Sequence, residues 1–345
     1  MDFNQFKGEL RDALSEKISK ELDGTLELGA ALKNGGPQEV IIYKCKNSKN
    51  GIQIGIASSY EAFQMGYPVE LIAEKLMLTI KENAPKLEKE FKGDMIRPEN
   101  IIPALIPTKG NEELLKTIPH ISFENLQIIF KFKASDFGDG LGTVPYAYLE
   151  EMGWDENQLL EIATNNPMYK NEMIVCPLEK VVLDCAPISG VDLEELKELS
   201  LRMVIVTNSL QSYGAAVILD KDIMGKLSDI FNDNLYIIPS SVHECLVMPE
   251  SECSPDLLKM MVYDVNREAV EIVDRLSDDI YVFDSLTKEI TLVNGERMFL
   301  DEKIPEEREK GDGNAMQESN DLFLDSDARD GLMEMVQYSV AIPRR

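Results

Sequence analysis

The stretch from Tyr213 to Pro249, YGAAVILDKDIMGKLSDIFNDNLYIIPSSVHECLVMP, constrains the fold more than any other part of the chain. Its apolar runs and turn residues predict a strand (Ala215–Leu219), a helix (Lys221–Phe231) and two more strands (Leu235–Pro239 and Cys245–Met248). The stretch ends on a dense polar cluster, Ser240, Ser241, His243, Glu244 and Cys245, bracketed by Pro239 and Pro249. It contains one of only two histidines in the chain. Such a cluster is either a site or a well-made turn.

The remaining elements follow from period and punctuation. Phe3, Phe6, Leu10, Ala13, Leu14, Ile18 and Leu22 recur at steps of three and four, one apolar face of a helix that stops at Gly24. Strands follow over Thr25–Leu32, Val40–Lys46 and Ile52–Ala57, with Asn34-Gly35-Gly36-Pro37 and Asn50-Gly51 as turns, so an antiparallel meander is expected. Ser58 or Ser59 is the expected cap of the next helix, which breaks at Gly66, and Pro68 opens a longer helix through Leu87. Met95–Gly110 holds three prolines and has no clean period, and reads as a connector whose apolar residues pack down.

Beyond it, strands are predicted at Leu126–Lys133, Glu172–Cys176, Arg202–Thr207 and a terminal hairpin, Ile280–Asp284 with Ile290–Val293. Helices are predicted from Thr143 or Pro145 to Met152, from an Asp155 cap to Ala163, over Asp192–Leu199, and over Ser254–Ala269 with Ser254 capping and Pro255 in the first turn. Strands and helices mix without regular alternation, so the fold class is α+β and not a doubly wound sheet. The expected organisation is a small N-terminal helix-plus-meander domain (1–93), a connector (94–110), a larger mixed α+β domain (111–299) and a charged, flexible acidic tail (300–345).

Composition bears on function mainly through charge. The net charge of −27 disfavours contact with nucleic-acid phosphates, and no Lys/Arg cluster offsets it. A basic protein partner or mimicry of DNA fits the charge, beside the plain alternative that acidity keeps the chain soluble. No apolar run approaches the roughly 18 residues a membrane helix needs, and the N-terminus lacks the basic start of a signal peptide. Five scattered cysteines without a CxxC pair fit reduced thiols in a cytoplasm.

Motifs for known chemistries are sparse. Asp136-Phe137-Gly138 spells a kinase triplet without its companions, and reads as a glycine turn. Gly138, Gly140 and Gly142 do not have dinucleotide spacing, and no phosphate-binding loop occurs. Asp325, Asp327 and Asp330 miss calcium-loop spacing. His243, Cys245 and Cys253 are the candidate metal ligands, against the plainer reading of thiols as small buried hydrophobes. Ser240, Ser241, His243 and Glu244 are the candidate catalytic residues. Ser241 and His243 would share a strand face, an arrangement that seldom aims an imidazole at a hydroxyl. The alternative is two serines satisfying turn backbone and a structural histidine. His120, behind Pro119, suggests packing at a strand entry.

The runs SSYEAFQMGYPVELIAEKL, NEELLKTIPHISFENLQIIFKF and VPYAYLEEMGWDENQLLEIATNNP, together with the opening stretch, resemble the bacterial domain-of-unknown-function family 5688. The resemblance covers most of residues 1 to about 285 and is most specific over Leu235–Pro249. It implies a cytoplasmic bacterial accessory protein and carries over no catalytic residue. The functional expectation is a non-enzymatic interaction or accessory protein that needs no cofactor and meets another protein, basic in charge, rather than nucleic acid or membrane. Its rivals are a hydrolase-like enzyme centred on Ser241, His243 and Glu244, and an acidic DNA mimic.

Overall fold

The computed structural model describes residues 1–46, 51–87, 96–133, 141–184, 196, 202–239, 241–268 and 270–293. The tail at 300–345, the 136–138 triplet, Ser240 and nearly all of the helix expected over 192–199 lie outside them.

The N-terminal unit forms as its periodicity dictates. Helix α1 (Phe3–Glu21) opens on a capping box in which the Asp2 side chain accepts from Gln5 N and Gln5 reaches back to Asp2 N. Phe6, Leu10, Leu14 and Ile18, four residues apart, are its buried stripe. Strands β1 (Gly24–Lys33), β2 (Gly36–Cys45) and β3 (Gly51–Gly55) make the expected meander, in register from Gly24↔Cys45 to Lys33↔Gly36. Helices α2 (Ala57–Gln64) and α3 (Val69–Leu87) follow. Ile41, Tyr43, Ile72, Met77 and Ile80 close the core against α1. Each such side chain contributes about 1.5–3 kcal/mol when fully buried. The serine cap expected for α2 is not used. The helix begins at Ala57, with Ile56 in the cap position and no side-chain cap, and Ser59 is buried inside it.

The region read as a connector contains a strand, β4 (Ile101–Pro107), buried at six of seven positions. Helix α4 (Glu112–Leu115) and strand β5 (His120–Phe123) lead to β6 (Leu126–Lys133), and β7 (Leu141–Thr143) follows. β6 pairs antiparallel with β4, β5 and β7. β4 lies at the sheet edge, and this explains its prolines. Pro103 and Pro107 share one parity, so both missing donors point the same way, where no ladder bond is required. The continuous burial of both faces is also why no period-two pattern marks this strand.

Helices α5 (Tyr146–Met152), α6 (Glu156–Asn165) and α7 (Pro167–Asn171) come next. Gly153 ends α5 in the left-handed conformation (φ 67°), where a side chain would be strained. Asp155 caps α6 through a second capping box with Gln158. Strand β8 (Met173–Pro177), helix α8 (Leu178–Asp184), strand β9 (Val204–Asn208), helix α9 (Lys221–Phe231), strands β10 (Leu235–Ile238) and β11 (Cys245–Pro249), helix α10 (Pro255–Glu268) and strands β12 (Tyr281–Phe283) and β13 (Ile290–Leu292) complete the fold.

Six strands form one antiparallel sheet, ordered β13-β12-β10-β11-β9-β8. Its pleat divides two cores. Val204, Val206, Ile237, Val247 and Phe283 face the four-stranded sheet, packing with Leu105, Leu126 and Phe130. Ile205, Tyr236, Leu246, Met248 and Val282 face the other way, onto Leu258, Met261, Val262 and Val265 of α10. One expected strand is absent: residues Gly214–Leu219 form a buried 3-10 helix.

The turn between β1 and β2 ties the N-terminal unit to the rest. Asn34 Nδ2 donates to Val273 O (2.6 Å), Asn111 Nδ2 donates to Asn34 Oδ1 (2.9 Å), and Gly35 N donates to Asn111 Oδ1 (3.1 Å). Both asparagines are buried, so these bonds satisfy groups that would otherwise cost stability. Among the described residues no helix is long and apolar enough to cross a membrane.

Candidate functional site

The polar cluster after β10 is a bend, not a strand, so Ser241 and His243 do not share a pleated face. Ser241 is fully buried, bridges to Arg275, and its Oγ accepts the His243 N–H at 3.1 Å. Val242 N donates to Asp274 O (2.8 Å), and Thr207 Oγ1 donates to His243 O (2.7 Å). Four segments therefore meet here: the end of β9, the loop before the 3-10 helix, the 241–245 bend and the loop at Asp274.

The approach is close enough to dictate sequence. A Cβ on Gly214 would lie 2.3 Å from Thr207 Oγ1, 2.5 Å from His243 O and 2.7 Å from Asn208 N. Just before it, Asn208 clasps the backbone of Ser212, accepting from its N (3.2 Å) and donating to its O (2.9 Å). This turn holds Gln211 (φ 48°) and Tyr213 (φ 53°) in the left-handed region, at about 1–2 kcal/mol each for side-chain-bearing residues. The strain aims the Tyr213 N–H at the His243 ring.

His243 is thereby fixed in one tautomer. Nδ1 accepts from Tyr213 N (3.3 Å), so Nε2 carries the hydrogen and donates to Asp274 Oδ1 (3.0 Å). A nucleophile–base pair needs one ring nitrogen facing the nucleophile and the other its orienting acid. Here the nitrogen opposite the acid takes a backbone hydrogen, and the Ser241 oxygen faces a backbone amide. The geometry is that of a stitched turn.

Glu244 is buried behind the bend. Burial first, and the Glu244 charge second, push the Cys245 thiol well up, away from the nucleophilic thiolate. Burial also raises Cys253. The candidate metal ligands do not converge: Cys245 lies in the core between the two sheets, and Cys253 in the core under α10. Among the described residues no group of three or more His, Cys, Asp or Glu is arranged to hold a metal. His120 Nδ1 lies 3.0 Å from Ile118 O at the start of β5, a local contact.

Three residues outside the expected set complete the cluster: Tyr213, Asp274 and Lys131. The Tyr213 ring lies 5.8 Å from the His243 ring, and Lys131 Nζ stands 4.3 Å over the same Tyr213 ring. Nζ also donates to Thr143 Oγ1 at 2.9 Å. Burial lowers the Lys131 pKa from 10.5 to about 8, and burial together with the Asp274 charge raises Tyr213. What buries Lys131 is distant in sequence: Tyr213, packed with Ile129 and Ile118 on that face of the sheet.

No curated protein and no solved structure matches the chain. A family of unknown function, DUF5688, matches residues 3–285, a span that takes in every strand from β1 to β12 and the His243 cluster. The chain therefore belongs to the DUF5688 family.

Proposed function

We propose that this protein is a non-enzymatic interaction protein of the cytoplasm that docks a basic amphipathic segment of another protein on the outer face of α10. The observation that carries this reading is the stripe opposite the helix's buried side. Met260 and Tyr263 remain 56% and 49% exposed, beside Asp256, Lys259 and Asp264, along a groove of about 560 Å³. Large apolar residues at helical spacing, exposed and rimmed by charge, are what a docked helix anchors on.

Charge complementarity selects the occupant. Lys259 is paired with Asp279 (3.1 Å), and Arg267 pairs with Asp278 (3.6 Å) while stacking over Tyr263. Asp256 and Asp264 have no ion pair among the described residues. With the cations committed internally and a chain charge of −27, the groove presents net negative charge to an incoming helix. Cys45, Cys176, Cys245 and Cys253 are all free thiols, which supports a reducing compartment.

A synthetic Leu/Lys amphipathic helical peptide and its Leu/Glu counterpart test the reading by fluorescence titration. The basic peptide is expected to bind, and M260S/Y263S, which leaves every charge in place, to weaken it about tenfold, or roughly 1.4 kcal/mol. L71S/L78S, on the exposed face of α3, should change nothing. Equal binding by all three proteins would mean diffuse electrostatic attraction and would sink the docking site.

A further inference from the structure

Independently of the docking face, we propose that Lys131 is a reactive amine that takes small neutral carbonyl compounds as a Schiff base, held between Thr143 and the Tyr213 ring. A buried lysine ordinarily faces a carboxylate. Lys131 is 8% exposed, and among the described residues no Asp or Glu lies within ion-pair distance. The groups around it are Thr143 from β7, Ile102 opposite on β4, Lys133 two residues along β6, and Tyr213 with His243 and Asp274 behind it. One hydroxyl and one aromatic face offset part of the ammonium's lost hydration, and the remainder favours the free amine.

That balance also favours a neutral product. The ammonium gives its proton to solvent, the Nζ lone pair attacks the carbonyl carbon, and the carbinolamine forms. Loss of the remaining nitrogen hydrogen with the former carbonyl oxygen releases water and leaves the C=N bond. An imine carries no obligatory charge, so the environment that penalises the ammonium accommodates it. The slight exposure restricts the partner to small molecules, and the Tyr213 face and Asp274 disfavour anionic ones. With its pKa near 8 instead of 10.5, the free-amine fraction at pH 7 is about 300-fold that of an ordinary lysine.

The test is reductive alkylation of the full chain with acetaldehyde and cyanoborohydride at pH 7, followed by peptide mass mapping. Lys131 is expected to label about tenfold faster than exposed Lys20, Lys44 and Lys116, the lower basicity of its amine offsetting part of the free-base advantage. Labelling of Lys131 no faster than that of the exposed lysines, or only after urea denaturation, would mean a sealed core amine and overturn the proposal. The mapping is read on the unaltered protein, so it does not depend on any variant folding.

Discussion

His243 and Lys131 are two largely buried basic side chains pressed against the same tyrosine, yet their polar atoms are treated differently. Each ring nitrogen of His243 has its own partner, one of them a carboxylate. Lys131 has a hydroxyl and a π face and, among the described residues, no acid. Burial is therefore compensated on one side of the cluster and left partly uncompensated on the other. The compensated side fastens the fold. The other stores free energy as a depressed pKa, which is what makes an amine nucleophilic at neutral pH.

The largest expected effect comes from breaking the compensated side where backbones approach. Gly214→Ala places a methyl against His243 O and Asn208 N, backbone atoms of the bend and of the end of β9 that cannot yield without moving the chain. A loss of upward of about 3 kcal/mol in urea unfolding is expected. A loss under about 1 kcal/mol would mean the four segments are not rigidly joined there.

Lys131→Met should act with the opposite sign. The folded pKa, about 8, lies below the ordinary 10.5, so between those values the unfolded chain holds more protons and stability rises with pH. Below about pH 8 the full penalty is present, up to about 3 kcal/mol at 1.36 per pKa unit. The methionine variant should be more stable at pH 7 and lack the rise between pH 8 and 10.5. The raised tyrosines away from Lys131, Tyr169 and Tyr281, bend both curves alike, so the difference between the two proteins reports Lys131 and the Tyr213 ring against it.

Smaller effects sharpen the His243 side. Asp274→Ala leaves Nε2 without its acceptor and should cost about 2 kcal/mol, with Asp274→Asn recovering part of it through the amide oxygen. Ser241→Ala removes the acceptor of the His243 amide and should cost about 1 kcal/mol. If Ser241→Ala exceeds Asp274→Ala in thermal unfolding, the bend is held by the serine and the histidine–aspartate bond is secondary.

Much of the architecture was legible because its causes are local. The four-residue stripe of α1, the Asp155 cap of α6, the Ser254–Pro255 start of α10 and the N-terminal meander each rest on residues close in sequence. Ala215–Leu219 and Ile101–Pro107 differ from expectation for one shared reason. An uninterrupted apolar run says that a segment is buried on all sides, and says nothing about its period. The first became a 3-10 helix packed onto the end of β9, and the second an edge strand whose prolines face away from the ladder.

The candidate site divides the same way. That Ser241, His243 and Glu244 cluster in a turn between two buried strands follows from the sequence, since the serines, the histidine and the flanking prolines all suit a turn. Which atoms they face does not. Tyr213, Asp274 and Lys131 lie 30, 31 and 112 residues from His243, and their meeting depends on how two sheets and three loops stack. The sequence alone determined the α+β class, the acidity and the main helices and strands, because propensity, capping and period act over a few residues. Only the tertiary structure decided that the histidine is tied down while the lysine, among the described residues, faces a hydroxyl and an aromatic ring instead of an acid, because burial and pairing are properties of contacts made across the fold.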